Sequence, residues 1–420
     1  MKKNIFLSLL FGFSLYLVLT SFFAVFGNTG QASFQMVAYD IGKFFGLVGF
    51  FMLSLLIISG DWARLLDRVI GLDKIIKFQR KFAVFVFFLV ISHPIFFIIS
   101  NTSFARYLLI QTASSAILYG TITLYLFILV SMASKFYKKI SYKAWQVIHI
   151  GLYVMFFLGL KHAFDAGSET NLLVIKIPFY IMIILLVTGA LYRTVYKIRN
   201  LFTKYIIKEI RWENENIYTV VVRHNEDFNF KAGQFAFLRI NGKKLFTRHP
   251  FTISNSPGSK NMEFSVKLEG RFTRTLAKLK PGYEIKIEGP FGLFTIPDDE
   301  KNIVFIAGGI GITPMRSILS DAGDHSRFSL IYCARTESDL VFRKELESYK
   351  YLEKTYVLSR EKKKGPWING RLSRDILKKH IKKDAMYYIC GPEGLKDATV
   401  KNLIELGISR KNIIIEDFFW

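Results

Sequence analysis

Six long stretches almost free of charge fill the first half of this chain, and no other feature restricts its fold as strongly. They run over residues 5–26, 44–60, 82–100, 108–133, 145–160 and 172–191. Wound into an α-helix, about twenty residues rise roughly 30 Å, the thickness of a bilayer's hydrocarbon core. Composition agrees: 51% of the 420 residues are hydrophobic, with 41 Phe, which is too apolar for an ordinary soluble protein. Residues 1–195 therefore read as a membrane domain of six spanning helices. Met1-Lys2-Lys3 could open a secretory signal, but the run behind it is too long for a signal core and no small-x-small cleavage site follows. It reads as the first span.

The formal charge of +24 raises the question of nucleic acid. The basic residues, however, cluster at the ends of the apolar runs and over the second half, with no interleaved aromatic and basic module. An anionic membrane face and phosphate-bearing nucleotides account for them better. Arg64, Arg68, Lys74, Lys77, Arg80 and Lys81 fall between the second and third runs. Lys135, Lys138, Lys139 and Lys143 fall between the fourth and fifth, and Arg193, Lys197, Arg199, Lys204 and Lys208 follow the sixth. The alternate loops hold mainly Arg106 and Lys161. The positive-inside rule then predicts a multi-pass protein of the cell membrane with both termini cytoplasmic. Cys333 and Cys390 have neither metal spacing nor a disulfide pattern.

Histidine is costly inside a bilayer unless it faces a partner. His93 lies in the third run, His149 in the fifth and His162 just beyond the fifth. Imidazoles from two facing helices are a common way to hold a haem from both sides. Interhelical hydrogen bonding is the plainer alternative.

Composition changes near Lys208, and β-rich segments follow at 217–222, 234–240, 247–254, 262–268 and 284–288. Bounded by Gly, Pro and Asn turns, they predict a small antiparallel barrel over 210–297, after a linker at 196–209. Within it, Arg248-His249-Pro250-Phe251-Thr252-Ile253-Ser254 reads as a flavin site. Arg248 offers a planar fork of donors for a pyrophosphate, while Thr252 and Ser254 place hydroxyls on one side of a strand, towards a flat ring. Taken alone, the stretch reads equally well as a polar strand with a turn. Gly270-Arg271-Phe272-Thr273 opens a short helix whose amides and Thr273 hydroxyl suit an anion or simply cap the helix. Lys267, on the preceding strand, is counted with the cofactor-binding residues.

Residues 298–420 read as an α/β Rossmann-like domain. A strand at 302–307 runs into Gly308-Gly309-Ile310-Gly311-Ile312-Thr313-Pro314. The glycines let a pyrophosphate approach the backbone, and Pro314 suits a first helical turn. Strands at 328–333, 355–358 and 386–389 lead into Arg335, Ser359-Arg360 and Cys390-Gly391-Pro392, at the carboxyl ends where doubly wound sheets bind ligands.

Taken together, the His-Pro-Phe-Thr stretch, Ala232-Gly233-Gln234-Phe235, the Gly270 loop, the glycine loop and the Cys-Gly-Pro segment resemble the transmembrane NADPH oxidase and ferric reductase family. The resemblance covers nearly all the chain and implies a ferredoxin-NADP reductase type module fused to a six-helix membrane domain. It implies FAD on Arg248 to Ser254 and Gly270 to Thr273. It also implies NADPH, with NADH as the alternative, on the glycine loop, Arg335, Ser359 and Arg360. Cys390 would lie beside the reacting rings with Thr252, and the terminal Trp420 would stack on the flavin. Helices three and five of that family each carry two His and stack two haems. Here the segment Phe78-Gln79-Arg80-Lys81 puts Gln79 where the inner His is expected, His93 matches the outer one, and His149 and His162 match the helix-five pair. Gln79 and His93 are about four turns apart and share a helix face, whereas His149 and His162 point about 140° apart, so a distortion near Gly159 is expected. One heme b on His93 and His162 is the primary expectation, two the alternative. The implied acceptor is dioxygen, giving superoxide, a ferric chelate or a protein. A reading from another class is a haem-free membrane anchor for a flavin reductase serving a protein partner.

Overall fold

The computed structural model describes the chain except residues 1, 28–32, 102–106, 111–112, 138, 141, 224–227, 241–247, 298–300 and 418–420. The chain divides into two compact units, Met1–Lys197 and Ile198–Trp420.

In the first unit α1 is Lys2–Phe26, α2 Phe34–Asp61, α3 Ala63–Ile70, α4 Leu72–Asn101, α5 Ser115–Lys135, α6 Tyr142–Ala166 and α7 Leu173–Phe202. Among the described residues, six of these, all but α3, are long and apolar enough to cross a membrane. α2 is the most enclosed span, with 56% of its apolar window buried against 17% for α4. Phe51, Phe156, Phe179 and Met182 form the centre of the unit, with the Phe50 ring packed at a tilt against Phe156 and Phe179. Phe11, Phe23, Phe88 and Leu191 stay exposed, as a bilayer-facing surface requires. Polar ties join the helices: the Tyr153 hydroxyl donates to Asp61 Oδ1 at 2.6 Å, and Arg193 Nη1 reaches the same oxygen at 3.0 Å.

Two expectations change here. α2 and α4 begin ten residues before their apolar runs, so Lys74, Lys77, Arg80 and Lys81 ride on the first turns of α4 instead of a loop. A helix holds its backbone hydrogen bonds on both sides of a lipid boundary and need not end there. The expected break near Gly159 is absent, since α6 runs unbroken through it and Gly159 packs on Phe50 and Thr123.

The second unit holds two sheets. β1 is Tyr205–Trp212, β2 Ile217–Arg223, β3 Phe235–Ile240, β4 His249–Thr252, β5 Asn261–Lys267 and β6 Glu284–Phe291, with the helix α8 at Arg271–Leu276. These strands pair antiparallel in the order β4-β3-β6-β1-β2-β5, and Ser254 N donates to Glu263 O near the ends of β4 and β5. Most of the stretch expected as a linker is structured, with the last turns of α7 ending at Phe202 and β1 beginning at Tyr205. The remaining elements are β7 Ile303–Gly308, α9 Thr313–Asp321, β8 Phe328–Ala334, α10 Arg343–Ser348, β9 Glu353–Leu358, β10 Ile368–Asn369, α11 Arg374–Lys379, β11 Met386–Cys390, α12 Glu393–Glu405 and β12 Ile413–Glu416. This sheet is parallel, ordered β10-β9-β8-β7-β11-β12, so the chain reverses direction across the sheet between β7 and β11. In an open α/β sheet that is where a ligand crevice forms.

Candidate functional site

The β7–β11 switch point brings the glycine loop against the Cys-Gly-Pro segment. Cys390 pairs with Ala307 in the sheet. A Cβ on Gly311 would stand 2.4 Å from the Cys390 carbonyl oxygen, and one on Gly391 would stand 3.0 Å from Gly308 Cα. Only glycine permits this approach, and it leaves the loop backbone bare for a pyrophosphate. Pro314 lies in the first turn of α9, as expected, and Thr313 Oγ1 is turned back to Ile310 O at 3.0 Å. Just past the strand ends, Ser359 N donates to Ala334 O and Arg360 N to Arg335 O at 2.8 Å, so exposed Arg335, Ser359 and Arg360 lie together. Burial pushes the Cys333 thiol up to about 12 and raises Cys390 further, aided by the carboxylates of Glu416 and Asp417. Neither thiol is a nucleophile at neutral pH. Trp420 lies outside the described residues. Buried Glu416, opposite Cys390 in the sheet and not singled out in the sequence, is the nearest acidic group described there.

In the barrel, β4 carries the flavin motif. Pro250 pairs with Phe237 and Thr252 with Phe235. Arg248 is half-exposed, donates from Nη1 to both Glu288 oxygens at 2.8 Å and lies over the Phe237 ring. The His249 and Phe251 rings stand 4.2 and 5.9 Å from Phe272, which joins this motif to the Gly270 loop. Burial holds the His249 imidazole below its usual range. Beside the loop, a cavity of about 410 Å³ is lined by Glu269, Gly270, Arg271, Arg274, Thr275 and Lys278. Three of the expected donors have partners within the protein. The Ser254 hydroxyl donates to Glu263 O and lies 3.0 Å from Ser265 Oγ, on the sheet face opposite the barrel core that holds Ile253 and Phe264. Thr273 Oγ1 accepts from Glu269 N and Gly270 N, and so caps its own helix. Lys267 is paired to Glu269 at 2.6 Å.

In the membrane unit, His93 of α4 and His162 of α6 come together with ring centres 6.0 Å apart and planes at 74°. His93 Nδ1 meets Gly42 O at 2.8 Å, and His162 Nδ1 meets Ala116 O at 2.8 Å. A carbonyl only accepts, so each Nδ1 carries the proton and each Nε2 keeps its lone pair. The two imidazoles are near enough that both would serve one metal. His149 is placed differently: Nδ1 bonds Trp145 O in its own helix, Nε2 lies 3.3 Å from Ser134 Oγ, and the ring stacks on Trp145. Gln79 Nε2 donates to Ser59 Oγ at 2.7 Å. Among the described residues no group of three or more His, Cys, Asp or Glu could hold a metal ion, and a pair of imidazoles is a donor set that haem iron accepts.

Residues 45–160 match the family described as ferric reductase like transmembrane component, 202–295 an FAD-binding domain and 305–401 an oxidoreductase NAD-binding domain. The three matches describe a ferric-reductase-like membrane domain fused to an FAD- and NAD-binding oxidoreductase module. It is similar to a component of the Na(+)-translocating NADH-quinone reductase of Pseudomonas aeruginosa, 28% identical over 194 residues that cover 40% of this chain and 48% of that one. It is also similar to the sulfhydrogenase 1 subunit gamma of Pyrococcus furiosus, 31% identical over 45% of this chain and 68% of that protein. Among solved structures, a ferredoxin NADP+ reductase from Neisseria gonorrhoeae with bound FAD and NADP aligns at TM-score 0.47 and 23% identity, over 52% of this chain and 98% of that one. The chain thus spans about half the length of the first of these relatives.

For this ferric-reductase-like chain, sequence reasoning missed Gly46 and Gly120, whose missing side chains make room for His93 and His162. The Gly42-x-x-x-Gly46 spacing at the start of an apolar run was a visible signal of close helix packing. Gly120, four residues after Ala116, carried the related small-residue spacing.

Proposed function

We propose that this chain is a membrane flavohaem reductase with a single haem b in the half of the bundle furthest from the basic loops. The observation that carries this reading is the His93–His162 pair, with ring centres 6.0 Å apart. When bound, FAD would take a hydride from cytoplasmic NADPH and release electrons one at a time, and haem would relay them to dioxygen or a ferric chelate at the outer face. His93 and His162 would hold the iron. Arg248, with the Gly270 loop, binds the flavin pyrophosphate. Gly308, Gly309, Gly311 and the start of α9 receive the nucleotide pyrophosphate, Cys390 to Pro392 border its nicotinamide end, and Arg335, Ser359 and Arg360 recognise a 2'-phosphate. That His149 Nε2 faces Ser134 and Gln79 is bonded to Ser59 favours one haem over two.

The test is haem per polypeptide in the wild type and in His93→Ala, His162→Ala and His149→Ala. One haem is expected, lost in the first two variants and kept in the third. Two haems in wild type, or loss in His149→Ala alone, would overturn the assignment. A spectrum showing flavin and no Soret band would instead support the haem-free anchor.

A further inference from the structure

We propose that Gly46 and Gly120 are positioning residues for the iron site. Each removes the side chain that would shield a helix carbonyl, so a histidine of the neighbouring helix can bind that carbonyl through Nδ1 and present Nε2 to the metal. The inference rests on the haem reading above, since without iron the presented nitrogen has no task.

In an α-helix the carbonyl of one residue is bonded to the N–H four residues on, and the side chain at that later position flanks it. Gly42 and Ala116 supply the carbonyls, and four residues on stand Gly46 and Gly120. A Cβ on Gly46 would be 2.5 Å from His93 Nδ1 and 2.7 Å from its Cε1. A Cβ on Gly120 would be 2.8 Å from His162 Nδ1 and Cε1 and 2.9 Å from Nε2. The same device thus recurs on two separate helix pairs, α2 with α4 and α5 with α6. Glycine inside a helix is costlier than alanine by about 1 kcal/mol, and at both places the space it leaves is taken by the histidine ring. Gly12 in α1 and Gly151 in α6 have nothing within 4 Å of an added Cβ and serve as internal controls. A ligand imidazole held by its other nitrogen keeps its tautomer and ring orientation, and loss of such a partner lowers metal affinity roughly 10- to 100-fold.

The experiment uses the full chain purified in detergent and reads haem per polypeptide, midpoint potential and the low-temperature electron paramagnetic resonance of the ferric haem. Gly46→Ala and Gly120→Ala are expected to bind haem about 10- to 100-fold more weakly, with altered resonance and a shifted potential in whatever haem is retained. Gly12→Ala and Gly151→Ala are expected to match wild type. If Gly46→Ala does not accumulate, the double variant Gly46→Ala/His93→Gly decides: with the ring gone the clash is gone, and it should accumulate like His93→Gly. Failure to do so overturns the inference. A haem-loaded wild type with Gly46→Ala and Gly120→Ala indistinguishable from Gly151→Ala overturns the glycine role alone. A wild type without haem overturns the haem reading, and the glycine role with it.

Discussion

Arg248 illustrates how much a single side chain's role depends on its neighbours. Its guanidinium is held by Glu288 and lies on Phe237, so the fork is oriented before any phosphate arrives. The pair is too exposed to contribute more than about 1 kcal/mol to folding. Removing it should therefore affect binding far more than stability. Arg248→Ala is expected to lower FAD per polypeptide about tenfold, as loss of a charge-assisted contact would, while the thermal midpoint barely moves. Full FAD occupancy in that variant would remove Arg248 from the site. At Cys390 the chemistry points the other way, since a thiol that burial keeps protonated offers small size beside Gly308 and Gly311 instead of nucleophilicity.

Among elements, α9 decides how the barrel and the parallel sheet meet. Arg316 is 8% exposed; its Nη1 donates to Glu263 Oε2 on β5 at 2.8 Å, its Nε donates to Glu345 Oε2 on α10 at 2.8 Å, and its guanidinium lies over Phe342. The next residue, Ser317, donates to Asn255 O at 2.8 Å. The helix that opens from the glycine loop thereby holds the chain just past the flavin-motif strand. Arg316→Ala leaves two carboxylates without this cation, and is expected to cost on the order of 2 to 4 kcal/mol, read as an earlier release of flavin fluorescence on heating. Arg316→Lys should recover only part of it, because a single ammonium cannot copy the two-sided fork. No difference between the alanine variant and wild type would show that other contacts hold the junction.

For the whole molecule, the proposed orientation makes a directional prediction. Inside-out membrane vesicles should oxidise added NADPH faster than NADH, and sealed right-side-out vesicles should oxidise neither. Nucleotide oxidation by sealed right-side-out vesicles would reverse the topology, and equal rates with both nucleotides would leave Arg360 without a discriminating role. Outward electron movement also runs with an inside-negative potential, which contributes about 2.3 kcal/mol per 100 mV for a full crossing.

The sequence by itself determined the six spans, the flavin motif and the glycine loop, because each depends on local quantities: the length of an apolar run, a fixed proline φ, a missing Cβ. It did not reveal β1, which follows α7 after two residues, or β10 and β12, the short edge strands of the parallel sheet. Nor could strand alternation tell that the Ser254 hydroxyl is taken up by Glu263 and Ser265, since that depends on how β5 lies beside the end of β4. Helix geometry separated His149 from His162 by direction, but not which of them His93 would meet. Tertiary structure decided that, through carbonyls 51 and 46 residues away in sequence that bring the two rings together across neighbouring helices.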